Sequence, residues 1–218
     1  MLPPGPYRDS GSCTEERVRH LDHPYPIALR PGADSLDPQA RAELLWTMTV
    51  TAREVGDDAM ALSARQRLAP LLEGIADPYL HAASQLAMAW TSPIVDDLDG
   101  ALREASASLK EFRGQDEPLG TTSAVLTLGS VETTVGRYDD ALRHLTEMRD
   151  LAERFDNPWL AAVSRVYLGT LAVAGGRPEE ARAPLDEGLE LSLAAHSTRS
   201  VTMCLAAFAR LTFVEGDP

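Results

Sequence analysis

Residues 124–145 read AVLTLGSVETTVGRYDDALRHL, and residues 164–185 read SRVYLGTLAVAGGRPEEARAPL. The second stretch begins 40 positions after the first, and the two share a leucine-glycine pair, a second glycine, an alanine and a leucine. The shared positions are Leu128-Gly129 and Leu168-Gly169, Gly136 and Gly176, Ala141 and Ala181, and Leu145 and Leu185. Identity at a fixed spacing is the sequence signature of a repeat protein.

The same spacing extends along most of the chain through its prolines, at positions 38, 78, 118 and 158. The residue before each proline can cap a helix, and the next step of the series is Ser197-Thr198. The preceding residues are Asp37, Asp77, Glu117 and Asn157. A side-chain oxygen at the N-cap accepts a backbone N–H, and proline in the first turn sacrifices no hydrogen bond. The register therefore predicts five helices, each beginning at one of these positions.

Three further sets of residues keep this register and predict a second helix in each repeat. Small residues recur at Thr49, Ala89, Gly129, Gly169 and Ala209, and each follows a large apolar residue. A turn residue recurs at Gly56, Asp96, Gly136, Gly176 and Gly216, and an alanine at Ala61, Ala101, Ala141 and Ala181. Small residues let two helices approach closely, and glycine permits the positive φ at which a helix ends. We therefore expect Gly169→Leu to destabilise the fold and Gly169→Ala to be tolerated far better.

The predicted fold is all-α, a right-handed superhelix of antiparallel helix pairs with nine helices. Its repeats lie near 37–76, 77–116, 117–156 and 157–196, with a shortened fifth at 197–218. Residues 1–36 lack the register and are expected to be irregular or flexible. In the second repeat Pro93 should end the first helix near Thr91. Acidic pairs such as Asp139-Asp140 fall at the starts of second helices, where they complement the helix dipole.

The composition excludes several classes of protein. The chain has 218 residues, 44% hydrophobic, with 33 Asp and Glu against 20 Lys and Arg and a net charge of −13. Such a charge repels a phosphate backbone, so we expect no direct nucleic-acid binding. The only cysteines, Cys13 and Cys204, are too few for a disulfide framework. With no signal-peptide pattern and no bilayer-length apolar run, we expect a cytoplasmic protein without membrane contact.

The two stretches quoted first resemble tetratricopeptide repeats. The matching features are the leucine-glycine pair, Gly136 and Gly176 before the turn, and the alanines of the second helix. The aromatic residue that the family places in the first helix is absent, and Glu132 and Ala172 stand there instead. Repeats of this greater length are similar to those in the C-terminal arrays of large bacterial ATPase-type transcriptional regulators of the LuxR class. That resemblance rests on residues 175–218.

In those regulators the array accompanies a nucleotide-binding module and often a DNA-binding helix-turn-helix, and neither motif occurs in this sequence. In the fifth repeat the register extends only to the turn at Gly216, and no second helix follows in this sequence. The helix at 198–215 would then be partly uncovered. We therefore expect a fragment or a truncated product of a larger gene, and self-association through this last helix.

No catalytic or metal motif stands out. His20 and His23 lie three residues apart without a third ligand near in sequence, so surface roles are favoured over a metal site. His144 and His196 are predicted on second helices, without a partner. Cys204 lies among apolar residues and is predicted to be a buried thiol. The expectation is a protein without catalytic activity, metal or cofactor.

Ligand binding is the remaining possibility, and the family resemblance assigns it to the first helices. The positions that face inward in the family form two rows here. The first row is Trp46, Leu86, Leu126, Val166 and Ala206, and the second row is Val50, Trp90, Ser130, Thr170 and Arg210. Both rows are apolar or small and almost uncharged, which favours an apolar helix or a small apolar ligand. The alternative is that Trp46 and Trp90 only fill the groove or contact residues 1–36.

Together these observations predict a non-catalytic helical-repeat scaffold for a protein, peptide or small-ligand partner. The resemblance implies the sensing or regulatory module of a bacterial transcriptional regulator. A free-standing adaptor and a non-functional truncated gene product remain alternatives.

Overall fold

The computed structural model describes residues 36–216. In that range the chain forms nine α-helices and no strand, so the predicted all-α fold and helix number are confirmed. The helices are α1 Pro38–Val55, α2 Asp58–Leu68, α3 Pro78–Thr91, α4 Leu98–Gly114, α5 Pro118–Thr134, α6 Tyr138–Arg154, α7 Pro158–Ala174, α8 Arg182–Ala194 and α9 Thr198–Glu215. Short 3₁₀ helices follow at Ala69–Gly74, Ser92–Val95 and Pro178–Glu180. The expectations for residues 1–35, including His20, His23 and Cys13, lie outside the described residues.

The odd-numbered helices begin at the predicted caps. The carboxylate of Asp77 accepts a hydrogen bond from the N–H of Leu80 at 2.7 Å, and the side chain of Asn157 accepts from Leu160 at 3.0 Å. Glu117, the longest of these side chains, still bends back to the third N–H of its helix. Each bond satisfies one of the N–H groups that a helix start leaves without a partner.

Positive φ angles mark the end of most helices. Gly136 and Gly176 adopt φ of 78° and 74° after α5 and α7, as the register predicts. Asp96 replaces glycine in the second repeat and still adopts φ of 60°. A second left-handed set, at Asp116, Asp156 and His196, follows α4, α6 and α8. His196 therefore lies in a turn and not on a second helix, which corrects the prediction for that residue.

The second repeat departs from its neighbours where its proline predicts. Helix α3 ends at Thr91, and Ser92–Val95 forms a 3₁₀ turn instead of an open loop. The guanidinium of Arg65 donates to the hydroxyl of Thr91 at 2.9 Å and reaches a carboxylate oxygen of Glu104 at 3.4 Å. The other oxygen of Glu104 accepts from Ser92 at 2.9 Å. Side chains of α2 and α4 thus hold the turn that Pro93 imposes.

The small residues of the register lie where the two helices of a repeat touch. A Cβ placed on Gly129 would lie 2.6 Å from Leu145, and one on Gly169 would lie 2.6 Å from Leu185 and 3.2 Å from the carbonyl of Ala181. Ala89 occupies the same register position in the second repeat and is fully buried. There the residue equivalent to Leu145 and Leu185 is Ala105, which is smaller. Ala89 is therefore no guide to the cost of Gly169→Ala, because the side chain opposite these small residues changes from Ala105 to Leu185, and alanine at position 169 would crowd that leucine.

The first helices of successive repeats contact one another, and each second helix packs against the first helix that follows it. The α1, α3, α5, α7 and α9 helices therefore form one continuous layer. The core between the layers includes Phe112, Leu145, Met148 and Leu185, all at most 1% exposed.

The last helix lacks the covering that the earlier first helices have. Thr49, Ala89, Gly129 and Gly169 are all buried, whereas Ala209 at the same register position is exposed. On the same helix Phe213 is 85% exposed and Leu205 is 56% exposed. Apolar residues that a second helix covers elsewhere are open to solvent on α9.

Candidate binding groove

A groove follows the layer of first helices and consists of three adjoining pockets. The central pocket, about 340 Å³, lies along α1, α3, α5 and α7, reaches the start of α9, and includes Trp90, Ser130 and Tyr167. The hydroxyl pocket, about 520 Å³, shares Ser130 and Tyr167 with it and adds Thr133 and Thr134. The apolar pocket, about 610 Å³, lies between α7 and α9. It shares Thr170, Ala174 and Arg210 with the hydroxyl pocket.

Most residues of the second predicted row line this groove. Val50, Trp90 and Ser130 line the central pocket, and Thr170 and Arg210 line the other two. The register places these residues one repeat apart along the layer. The groove is therefore a feature of the repeat and not of one local loop.

The first predicted row divides between groove and core. Leu126 lines the central pocket, and Trp46 packs partly buried against the core. Leu86 and Val166, however, are 3% and 4% exposed and belong to the core, so their assignment to a binding surface was wrong. They pack inward because the second helices close over that side of the layer. Ala206 is exposed and lines none of the three pockets.

Polar side-chain contacts cross from one first helix to the next in the middle of the groove. The indole N–H of Trp90 donates to the hydroxyl of Thr127 at 2.7 Å. One repeat further, Ser130 and Tyr167 occupy the same two register positions, and their hydroxyl groups lie near each other. Burial raises the pKa of Tyr167 and outweighs the opposing effect of Ser130, so the phenol is neutral at physiological pH. We call these two contacts the cross-helix rungs.

The electrostatic character of the groove differs from that of the whole chain. Arg53 and Arg199 line the central pocket, and Arg210 lines the other two. No carboxylate of the described residues lines any of the three pockets, although the chain has 33 Asp and Glu. The two predicted rows do not include Arg53 and Arg199, so the groove carries more positive charge than those rows predict. Both lie on first helices outside those rows.

The apolar pocket combines a hydrophobic wall with a single cation. Val173, Ala207, Phe213 and Val214 form the wall, and Arg210 is its charged residue. Within the described part of the chain, Arg210 has no ion pair, whereas Arg53 binds Asp58 at 2.9 Å. Sequence spacing alone could have indicated Phe213, which lies 40 positions after Val173, but not the pocket between α7 and α9.

Two titratable side chains outside the groove, His144 and Cys204, have defined surroundings in the described part of the chain. Nδ1 of His144 lies 2.7 Å from an oxygen of Glu132, which corrects the prediction that His144 has no partner. Cys204 is fully buried, as predicted, and burial raises the pKa of its thiol. Among residues 36–216 no cluster of three or more potential ligands could hold a metal ion. In the same range no helix has the length and apolar character needed to cross a bilayer.

Comparison with known proteins agrees with this architecture. The tetratricopeptide-repeat family profile matches residues 121–194, which span the third and fourth repeats. No curated protein sequence matches the chain.

Solved structures with the same fold come from several kinds of protein. Aspartyl phosphate phosphatase F from Bacillus subtilis superposes with a TM-score of 0.66 at 10% identity, over 79% of this chain and 45% of that chain. A signal transduction ATPase with numerous domains and a tetratricopeptide repeat sensor, from Pyrococcus horikoshii, gives 0.65 at 17% identity, over 79% and 27%. A Rap protein complexed with competence and sporulation factor gives 0.51 at 14% identity, over 79% and 52%.

The chain therefore spans less than half of the phosphatase and about a quarter of the ATPase. At these identities the likeness extends to the fold alone. The described residues form a TPR-like solenoid, a class whose members present grooves on stacked helices.

Proposed function

We propose that the chain is a non-catalytic scaffold whose groove binds a segment of a partner protein. The observation that carries this proposal is the continuity of the three pockets along α1, α3, α5, α7 and α9. A concave site lined by apolar and hydroxyl side chains suits a ligand that extends over several repeats. The Rap protein of similar fold, which is complexed with competence and sporulation factor, supports this proposal.

We further propose that this scaffold is the sensing or regulatory module of a bacterial transcriptional regulator. Two observations support this role: the resemblance of residues 175–218 to the arrays of LuxR-class regulators, and the sensor repeats of the ATPase with the same fold. The flanking DNA provides a test. An adjoining frame that encodes an ATPase or a helix-turn-helix supports the regulator, and complete, unrelated neighbouring genes favour a free-standing adaptor.

Binding in the groove can be tested with two matched variants. Thr134 lines the hydroxyl pocket and Thr202 lines none of the three. Both are exposed and both donate to the carbonyl four residues earlier, at 3.0 Å and 2.9 Å. Thr134→Trp should therefore obstruct the groove, and Thr202→Trp should alter only an outer surface.

The measurement is selection of a displayed library of random dodecapeptides on the wild-type chain. Selected peptides should also bind the Thr202→Trp variant and should lose binding to Thr134→Trp. Peptides that bind both variants equally, or a library that yields no binder, would contradict the proposed function.

The exposed face of α9, which shares Phe213 with the apolar pocket, also suits association between copies of the chain, so association and ligand binding compete for this residue. Phe213 and Leu205 leave an apolar face of α9 open to solvent. We propose that two copies associate through this helix, as a second helix of the repeat would otherwise cover it.

A further inference from the structure

We infer that the groove selects peptides in which an acidic side chain lies next to a bulky apolar side chain. The acidic group binds Arg210, and the apolar group enters the apolar pocket beside it. This inference rests on the proposed function, since it specifies the ligand of the same groove.

The charges of the groove favour an acidic ligand. The described walls of the groove carry arginines and no carboxylate, in a chain with a net charge of −13, and one of these arginines, Arg53, already pairs with Asp58 at 2.9 Å. Carboxylates elsewhere on the surface pair with arginines, such as Glu147 with Arg113 at 2.6 Å and Glu187 with Arg165 at 2.9 Å. Arg210 has no such intramolecular partner within the described residues and is exposed to solvent. Its guanidinium is available to bind a carboxylate of the ligand.

Arg210 lies beside an apolar wall that suits a bulky side chain of the ligand. On one side lies the hydrophobic wall of the apolar pocket, where Phe213 is 85% exposed. A large apolar side chain of the ligand would cover Phe213 and Val214, and burial of such surface favours binding. The pocket volume of about 610 Å³ is large enough for an aromatic or long aliphatic side chain. The acidic and apolar groups must therefore lie close together on the ligand.

The hydroxyl pocket on the other side of Arg210 favours a peptide backbone. Thr133 donates its hydroxyl hydrogen to Gly129 at 2.6 Å, Thr134 to Ser130 at 3.0 Å and Thr170 to Val166 at 2.9 Å. With their hydrogens used inside the helices, these oxygens can only accept. The threonine oxygens therefore suit the N–H groups of an extended peptide. Ser130, Tyr138 and Tyr167 add further hydroxyl groups to this pocket, and among its described lining residues Arg210 carries the charge that can pair with the anionic group of the ligand.

These features select a peptide over other anions with an apolar part. A fatty acid has one carboxylate and no N–H donors for the threonine oxygens. A nucleic acid would bring many phosphates to an acidic chain, against the field of its surface. A peptide supplies the acidic side chain, the apolar side chain and the N–H donors together.

To test the inference, the peptides selected on the wild-type chain are sequenced, and the binding of one of them is measured. Asp and Glu should be enriched above the starting library, within three positions of Phe, Leu, Ile, Met or Trp. Binding of a fluorescein-labelled selected peptide should weaken at least about tenfold in Arg210→Glu and should decrease as salt is added. Arg103→Glu is the matched control, because Arg103 is exposed on α4 and lines none of the pockets.

The outcomes separate this inference from the proposed function. Enrichment of acidic peptides together with loss of binding in Arg210→Glu, but not in Arg103→Glu, supports the inference. Peptides that depend on Thr134 but show no acidic enrichment, or that bind Arg210→Glu as well as the wild type, would overturn it and leave the groove as a binding site. Peptides that bind the Thr134→Trp variant as well as the wild type would overturn both the inference and the proposed function.

Discussion

Nδ1 of His144 on α6 lies 2.7 Å from Oε2 of Glu132 on α5, and the two residues are only 9% and 5% exposed. The pair joins the two helices of the third repeat at the level where the family places an aromatic residue. Each side chain is the hydrogen-bond partner of the other inside the protein. Stability of this repeat therefore depends on the presence of both.

Removing one member of the pair should cost more than removing both. Glu132→Leu and His144→Leu each leave a buried polar group without its partner, at a cost of about 3–5 kcal/mol in the free energy of unfolding. The double variant replaces the pair by apolar side chains and should be more stable than either single variant. Urea unfolding followed by circular dichroism measures all four proteins. Additive losses in the double variant would show that the two groups do not depend on each other.

The effect of Gly169→Ala on stability should depend on whether Leu185 is present. Gly169→Ala places a Cβ 2.6 Å from Leu185 and should destabilise the protein by about 1–3 kcal/mol. In a Leu185→Ala background the same change should cost much less, because the clash with Leu185 is gone, alanine favours the helix, and only the carbonyl of Ala181 at 3.2 Å remains close. Thermal unfolding of the four variants provides the measurement. A loss of equal size in both backgrounds would refute the proposed contact.

The left-handed turns predict a further pair of stability changes. Asp96 adopts φ of 60° where other repeats have glycine, so Asp96→Gly should raise the free energy of unfolding by up to about 1 kcal/mol. Gly136→Ala, at φ of 78°, should lower it by about 1–2 kcal/mol.

Gly74→Ala is the control for these turn variants, since Gly74 has no positive φ and open space around it. It should leave stability unchanged or slightly higher in chemical denaturation. If Gly136→Ala behaves like Gly74→Ala, backbone strain does not determine the choice of residue in this turn.

The exposed face of α9 predicts a concentration-dependent association. Phe213→Asp should shift the chain toward monomer in analytical ultracentrifugation, because an exposed phenylalanine gains about 1.5–3 kcal/mol when it is buried in a contact. Leu119→Asp is the control, since Leu119 is 60% exposed at the start of α5. A wild-type chain that sediments as a monomer at all concentrations would contradict the association.

The repeat, its caps and its turns could be predicted from the sequence because they depend on neighbouring residues. Asp77 caps α3 through an N–H only three residues away, and Gly136 adopts its turn without help from distant groups. The pair of Glu132 and His144 could not be predicted in this way, since two helices must first pack before the atoms meet. The left-handed turn at Asp116, by contrast, is local, since the N–H of Glu117 donates to the carbonyl of Phe112 at 3.0 Å, and it recurs 40 residues later at Asp156.

The groove was predictable in position and not in charge. The family resemblance assigned Val50, Trp90 and Ser130 to one surface, and they line one pocket. It also assigned Leu86, which the structure places in the core. Arg199 lies outside both rows and joins the groove only because α9 stacks beside α7.

The two cross-helix rungs give the array an uneven stiffness. They connect α3 to α5 and α5 to α7 through polar contacts whose geometry is directional. The equivalent positions at the two outer steps hold Val50 with Ala87 and Thr170 with Ala207, and Ala87 and Ala207 cannot make such a contact. The array should therefore bend at its first and last steps and resist bending in the middle. A ligand that closes the groove would therefore move α1 and α9 relative to α3, α5 and α7, which would stay fixed to one another.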